Sequence, residues 1–351
     1  MGPRPAALAA LAAALALPAA ACTTFCALGP GGPVFGRNYD YRFGDGLVLV
    51  NPRGVAKSSL LERAGARWTA RHGSLTFNQF GKDSPAGGIN EAGLVVELMM
   101  LEETEYPPAD SRPALGALEW IQYALDNSAS VDEALRGAKR VRIGTRAPLH
   151  FLLADRTGDA AAVEFLGGRM VVHRGGDLPL RALANEPYER AREHFEGGRR
   201  PPPALPGPDA RSLERFATAA RLAGELEREP AVDAVRRSFE ILDAVAQPGF
   251  TQWQVVYDLA RGRVHYRTAS NREPRVIELA RLDFGCASGG AMIDVDTGRG
   301  DVTAGLMPYA PEANERLMLA SFAKSPEFRQ PPAQVRADAG RVEERRCAAT
   351  G

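Results

Sequence analysis

The sequence predicts an α+β fold in which two β-sheets are sandwiched between two pairs of helices, a four-layer αββα arrangement. Three observations predict it. Hydropathy switches between strand-like and helix-like periods in the order strands, two helices, strands, two helices, strands. Apolar residues make up 45% of the 351 residues, enough for a substantial core. No long linker or internal repeat divides the chain, so one large domain fits it better than the two that its length would allow.

Taken in order, residues 22–28 read as a short strand, 29–33 as a turn and 34–38 as its partner, punctuated by Gly and Pro as a hairpin requires. Residues 47–50 form another apolar strand. Gly88 to Gly93 reads as a turn, and Leu94 to Leu101 follows as a nearly continuous apolar run, the pattern of a strand buried on both faces. Leu115, Leu118, Ile121 and Leu125 recur at helical spacing and form one apolar face. Ser130 and Glu133 make a capping box that opens a second helix through Leu135. Strands return at 150–154, 161–165 and 170–173, with Asp155 to Asp159 as the first turn. Gly197 to Ala210 is a Pro- and Gly-rich loop. Helices are expected on either side of Glu229-Pro230, the first with Leu213, Phe216 and Leu222 inward, the second with Val235, Phe239, Leu242 and Val245. A strand meander follows at 251–259, 263–268 and 275–280. Beyond Tyr309 the chain reads as a tail (310–351), part helical and loosely attached, so that the folded domain spans 22–309.

Lys+Arg and Asp+Glu each total 43, a neutral balance that gives no push toward nucleic acid or an anionic membrane. Residues 1–21 carry Arg4, an Ala/Leu run and a terminal Ala19-Ala20-Ala21, the anatomy of a secretory signal that is too short and Ala-rich to serve as a transmembrane anchor. No second apolar span follows. The expected product is exported to the periplasm or beyond, with no stable membrane insertion. An oxidising compartment permits a disulfide, and Cys286 with Cys347, both in the C-terminal part, is the expected pair.

Cleavage after Ala21 would leave Cys22 with thiol and α-amine on one residue. A free thiol has a pKa of about 8.5 and an α-amine about 7.7–8.0, so the amine can accept the thiol proton near neutrality. A nearby guanidinium would favour thiolate further, and Gly36-Arg37-Asn38-Tyr39-Asp40 lies across the hairpin. On a strand, Arg37 and Tyr39 face one way and Asn38 and Asp40 the other. Both Arg37 and Asp40 are expected to approach Cys22 only if the chain bends after Asn38.

These residues resemble the choloylglycine hydrolase/penicillin V acylase family of N-terminal-nucleophile hydrolases. Cys22-Thr23-Thr24-Phe25 and FGRNYDY at 35–41 are similar to its Cys-Thr opening and FGRN-x-D signature, and GINEAGL at 88–94 to its G-M-N-E-K-G-L. SVDEAL at 130–135, PLHFLLADRTGDAAAVEF at 148–165, LANEPYE at 183–189, ERFATAA at 214–220 and the meander at 251–271 keep the family order. The resemblance covers roughly residues 22–282. It departs at Tyr39, Met100, Ala184, Glu186 and Glu214, and stops near Asp283.

The resemblance implies the four-layer fold of that superfamily and a role for each matching position. Cys22 would be the nucleophile and its α-amine the base; Arg37 would favour the ionised thiol and Asp40 would hold the amine. Asn185 would offer its side-chain amide to the oxyanion, and Arg215 would orient the cluster. The second oxyanion donor, a backbone N–H ten residues after Asn90, would belong to Met100. The implied activity is hydrolysis of a non-peptide linear amide, with no metal or organic cofactor. The partner would be a small N-acyl amide, first penicillin V or an N-acyl-homoserine lactone, then a conjugated bile salt, then a fatty acid amide of ceramidase or ethanolamide type. A homo-oligomer, a homotetramer by resemblance, is also implied.

The competing class is a lipid-anchored envelope binding protein whose Cys22 thiol is consumed by the anchor, although Ala19 stands where such acceptors carry Leu. Met99-Met100-Leu101 would line an acyl pocket or pack the core equally well. Cys26 reads as a small buried hydrophobe. The Asp294–Asp301 stretch reads as a strand and polar turn rather than a calcium loop, lacking the closing bidentate Glu. The five His make no metal pair at helical spacing.

Overall fold

The computed structural model describes residues 22–61, 64–198, 208–229, 233–328, 330–343 and 345–348. The leader, most of the 197–210 loop and Pro230 lie outside these residues. β1 (Thr23–Gly29) and β2 (Gly32–Asp40) form the opening hairpin, with Thr23 opposite Asn38 and Gly29 opposite Gly32, a tighter turn than expected. β3 (Leu47–Asn51) follows, then β4 (Val55–Ser58), β5 (Arg67–Thr69) and β6 (Ser74–Asn78). β7 (Gly87–Asn90) and β8 (Val95–Met100) are joined by a short turn, so the expected 88–93 turn is half strand.

β9 (Ala114–Leu115) precedes helices α1 (Ala117–Asn127) and α2 (Val131–Ala138), and Leu115 therefore sits outside the helix it was expected to open. Ser130 caps α2 by accepting the Glu133 N–H at 3.3 Å, but Glu133 reaches back to the Ala129 N–H at 2.9 Å, one residue beyond a standard capping box. β10 (Arg142–Ile143), β11 (Leu149–Ala154), β12 (Ala160–Leu166), β13 (Arg169–Arg174) and β14 (Ala182–Leu183) come next. Three helices then replace the expected two: α3 (Tyr188–Glu196), α4 (Pro208–Arg228) and α5 (Ala234–Ala244). The meander is β15 (Thr251–Asp258), β16 (Arg263–Thr268) and β17 (Arg275–Glu278). β18 (Ala291–Asp294), β19 (Gly300–Asp301), β20 (Met307–Pro308), α6 (Pro311–Lys324), α7 (Pro332–Glu343) and β21 (Arg346–Cys347) complete the chain.

Two large sheets result. One has seven strands in the order β14-β1-β2-β15-β16-β17-β19, the other nine in the order β13-β12-β11-β8-β7-β6-β3-β18-β20. They face each other through buried side chains: Phe77 of β6 packs edge-on against Tyr266 of β16, ring centroids 5.3 Å apart, and Thr24 of β1 donates to the Met99 sulfur of β8. α4 and α5 cover the outer face of the seven-stranded sheet, and α1 packs on the nine-stranded one with α2 against it. The expected four-layer αββα order is the order found. Hydrophobic burial between the layers drives it.

β6 is absent from the sequence reading although Ser74, Thr76 and Asn78 alternate with Leu75 and Phe77 as in a half-buried strand; in the structure all five are buried. The polar three are satisfied among themselves and their neighbours. Asn51 donates to Ser74 and Thr76 at 3.2 and 2.9 Å, and Thr76 donates to Asn78 at 2.7 Å.

The tail corrects the expectation of loose attachment. Asn314 of α6 accepts the Lys82 N–H at 2.8 Å, Met318 packs on Gly81, and Phe322 and Phe328 meet the Phe80 ring at 5.5 and 5.9 Å. Arg345 pairs with buried Asp83, which also holds Lys57 at 2.7 Å. Cys286 and Cys347 are joined by a disulfide, as expected, and β21 pairs with β4. The weak amphipathic pattern of α6 hid this, because its apolar side chains divide between two surfaces, Leu317 packing on Leu47 and Leu49 of β3 and Met318 on the loop at Gly81.

Candidate active site

The register of β1 on β2 positions the site. Opposite residues of an antiparallel pair share a face, so Thr24 and Arg37 point at the nine-stranded sheet while Thr23 and Asn38 point at the helices. The side-chain contacts agree. Arg37 donates to the Ala86 carbonyl at 3.0 Å and pairs with Glu97 of β8, whereas Asn38 donates to the Leu242 carbonyl of α5 at 2.8 Å. Extending the register by one residue sets Cys22 beside Tyr39, on the Arg37 face.

The condition set for a joint approach, a bend after Asn38, is not met: β2 runs on to Asp40. The irregularity lies instead in β15, where pairing skips Gln252 between Thr251, opposite Asp40, and Trp253, opposite Tyr39. Arg37 and Asp40 reach Cys22 differently. Arg37 lies on the thiol's face of the sheet, and its charge acts on the thiol. The Asp40 carboxylate lies on the helix face with Thr23 and the Cys22 main chain. Two faces of one strand thus serve two ends of one residue.

Burial dominates the thiol. Cys22 is 1% exposed, and desolvation raises its pKa above the ordinary value; the Arg37 charge pulls it down, and the Asp40 charge adds to the rise. The direction expected for Arg37 holds, but it does not win. Arg37 is held by more than Glu97, since its guanidinium stacks 4.7 Å above the Tyr39 ring.

Two glycines make room for this arrangement. A Cβ on Gly36 would sit 2.3 Å from the Phe25 ring, and one on Gly87 would fall within 1.9 Å of the Glu97 carboxylate. The Gly of FGRN is therefore a packing requirement.

Asp40 is buried and accepts from Thr251 Oγ1 at 2.6 Å and Gln247 Nε2 at 2.7 Å, with Arg215 Nη1 at 4.0 Å. Burial pushes its carboxyl up to about 6, against the pull of Arg215 and of the hydrogen bonds from Thr251 and Gln247. Arg215, on α4, is the hub of the far side: Nη1 donates to the Cys22 carbonyl at 2.7 Å and to Thr23 Oγ1 at 2.5 Å, while Nη2 donates to Asn185 Oδ1 at 2.8 Å. Asn185 in turn donates from Nδ2 to the Met100 carbonyl at 2.8 Å and from its main-chain N–H to Ser212 Oγ at 2.9 Å.

The sequence pointed to six positions, and the structure brings all six together: Cys22, Arg37, Asp40, Asn185, Arg215 and the Met100 main chain. Just beyond the ends of β8 and β11, Leu101 donates to the Pro148 carbonyl, so these two continue the ladder as a hydrogen-bonded position and Met100, opposite Leu149, is not one. In an antiparallel ladder, that turns the Met100 N–H and C=O away from β11. They face the side on which Asn185 lies.

Sequence reasoning missed the groups that hold these. Glu97 and Tyr257, paired by a hydrogen bond, anchor Arg37; Gln247 and Thr251 anchor Asp40; Ser212 anchors Asn185. Glu97 had a signal, a lone carboxylate in the apolar run 94–101. Cys26 is buried, its thiol pushed up to about 12 by desolvation, as a small hydrophobe would be. The 294–301 stretch is the strand end and turn expected: Asp294 accepts the Asp296 N–H at 2.9 Å, and Asp296 accepts from Thr268. A cavity of about 620 Å³ between α5 and the β15–β16 hairpin is lined by none of the six positions.

The fold is the four-layer sandwich of the N-terminal-nucleophile hydrolase type, and comparison with known proteins gives its family. The profile of the linear amide C–N hydrolases, choloylglycine hydrolase family, matches residues 22–196, and the chain belongs to that family. It is 32% identical over 188 residues to penicillin V acylase of Pectobacterium atrosepticum, a match covering 48% of this chain and 50% of that protein. The chain thus matches about half the length of this curated relative. The solved penicillin V acylase of Agrobacterium tumefaciens superposes with a TM-score of 0.71 at 26% identity, covering 83% of this chain and 98% of that one. A conjugated bile acid hydrolase variant from Clostridium perfringens shares the fold, with a TM-score of 0.65 at 19% identity over 80% of this chain and 98% of its own.

Proposed function

We propose that this protein is an exported cysteine amidohydrolase that cleaves a linear amide of a small N-acyl substrate through an acyl-thioester on Cys22. The observation that carries the reading is Arg215, which ties the Cys22 carbonyl to Asn185, while Arg37 lies on the thiol's face of the sheet. Residues 1–21 must first be removed, because in the uncleaved chain the Cys22 nitrogen is an amide and cannot act as a base. Once free, the α-amine sits on the side of β1 where the Asp40 carboxylate lies, and takes the thiol proton. The thiol does not need to be ionised at rest, which agrees with its raised pKa.

Attack on the amide carbonyl forms the C–S bond and moves charge onto oxygen. The Asn185 amide and the Met100 N–H receive that charge, each such donor being worth about 2.7–4 kcal/mol. Collapse breaks the C–N bond, and the ammonium returns its proton to the departing amine. Water activated by the same amine then breaks the thioester and restores the thiol.

Relatives named penicillin V acylase, at 32% and 26% identity, favour penicillin V and comparable N-acyl amides such as N-acyl-homoserine lactones over bile salts or fatty acid amides. The Cys286–Cys347 disulfide supports an oxidising compartment. The test is amine release from penicillin V, acyl-homoserine lactones, glycocholate and fatty acid amides by a chain beginning at Cys22. Cys22→Ser should abolish release from every substrate the wild type cleaves; undiminished release refutes the nucleophile. Intact mass of the exported protein should give a free N-terminal Cys, and a lipid adduct would favour the anchored binding protein instead.

A further inference from the structure

His150 is buried on β11, opposite Met99 and so one residue from the Met100 main chain. Both of its ring nitrogens face acceptors. Nε2 is 2.7 Å from the Ala184 carbonyl oxygen, and Nδ1 is 3.1 Å from Glu164 Oε1 on β12. A carbonyl can only accept, so Nε2 carries a hydrogen, and the second contact then needs another proton between ring and carboxylate. Without it, an imidazole lone pair would face a carboxylate in a dry site.

Glu164 is engaged on both oxygens. Oε1 also accepts the Tyr188 N–H at 2.9 Å, and Oε2 lies 3.1 Å from His173 Nε2. The other His173 nitrogen is 3.4 Å from Glu189, which is ion-paired with Arg192 at 2.5 Å. Glu164, His173 and Glu189, with Arg192 behind, are the charged and titratable groups that β12, β13 and α3 turn toward His150 among the described residues; β8 offers Met99. Burial pushes the Glu164 carboxyl up, but the hydrogen bonds from His150, His173 and Tyr188 outweigh it and hold the group at about 2.

The two backbone groups gripped here flank one tripeptide. Ala184 immediately precedes Asn185, and Tyr188 follows Asn185-Glu186-Pro187. We propose that His150, as an imidazolium, and Glu164 are positioning residues that clasp this tripeptide from both ends and set the Asn185 amide toward the substrate carbonyl. The inference rests on the amidase reading. It adds a proton that never reaches substrate but on which the oxyanion donor depends.

The first measurement does not need activity. In ¹⁵N-histidine-labelled Cys22→Ser protein, the His150 ring should be doubly protonated at pH 7.5, and a neutral imidazole there would overturn the proposal. The second uses the chain beginning at Cys22 and whichever panel amide it cleaves. Glu164→Gln keeps the shape but removes the carboxylate that meets His150, His173 and the Tyr188 N–H. Its kcat should fall about 10- to 100-fold with KM changing less than about threefold, less than outright loss of an oxyanion donor because Asn185 is misaimed and not removed. An unchanged kcat overturns the clasp. In an Asn185→Ala background, Glu164→Gln should cost less than about threefold, whereas full additivity would mean that it does not act through Asn185. Retained amine release by Cys22→Ser would sink the nucleophile reading while leaving the imidazolium measurement intact, so the two failures are distinguishable.

Discussion

Asp40 carries a cost that substitution should expose. Its carboxyl rises from an ordinary 3.8 to about 6 in the folded chain, burial outweighing Arg215, Thr251 and Gln247. At about 1.4 kcal/mol for each tenfold change in proton affinity, the ionised form costs the fold about 3 kcal/mol. The sign follows from linkage: the folded state binds the proton more tightly, so stability is full below pH 3.8, falls as pH rises to about 6, and is flat above. Asp40→Asn removes this cost. It keeps an acceptor for Thr251 but sets an N–H₂ group against the Gln247 donor, a loss of about 1 kcal/mol.

With an initiator Met and Ala21 retained ahead of Cys22, the variant should therefore be about 2 kcal/mol more stable than the wild type at pH 8. At pH 3.5 it should be about 1 kcal/mol less stable. Urea midpoints at the two pH values read the crossing directly. In the chain beginning at Cys22, the α-ammonium beside Asp40 supplies the missing counter-charge, so the gain at pH 8 should shrink while amine release is lost. Wild-type activity should fall at or below pH 6 as Asp40 protonates. An Asp40→Asn chain that is equally destabilised at both pH values would refute the reasoning.

Two further outcomes are expected. Opening the Cys286–Cys347 disulfide by Cys347→Ser releases a closure across 61 residues and should cost about 4 kcal/mol by the loop-entropy relation. Limited proteolysis should then cut first within 325–345, and an unchanged midpoint and cutting pattern would mean that the tail holds without the bond. Gly36→Ala places a methyl group 2.3 Å from the Phe25 ring, and should lower stability by about 1–3 kcal/mol with loss of amine release. A thermal midpoint equal to that of the wild type would show that the strand can give way.

Much of the fold was legible because period and punctuation are local. The meander and the strands from Leu149 to Arg174 lie within a residue or two of their expected places, and α2 starts where expected after Ser130 but runs on to Ala138. What escaped was structure defined by distant partners. β6 alternates polar and apolar residues like a half-exposed strand, yet Asn51 and α1 bury its polar face as well. α3 follows Pro187 and buries little beyond Tyr188 and Ala191, so its apolar stripe is too thin to read.

By itself, the sequence determined which residues have the chemistry: a Cys that cleavage would place first, an Arg and an Asp one short strand away, and an Asn and an Arg far downstream in the order of a known family. Covalent neighbourhood and motif spacing suffice for that. Only the tertiary structure decided how those groups meet. Arg37 and Asp40 needed no bend, because opposite faces of β2 reach opposite ends of Cys22. Glu97, Gln247, Thr251, His150 and Glu164 entered only once the two sheets closed, since burial gives a lone carboxylate or imidazole its partners, and no spacing along the chain records which strand will lie across from it.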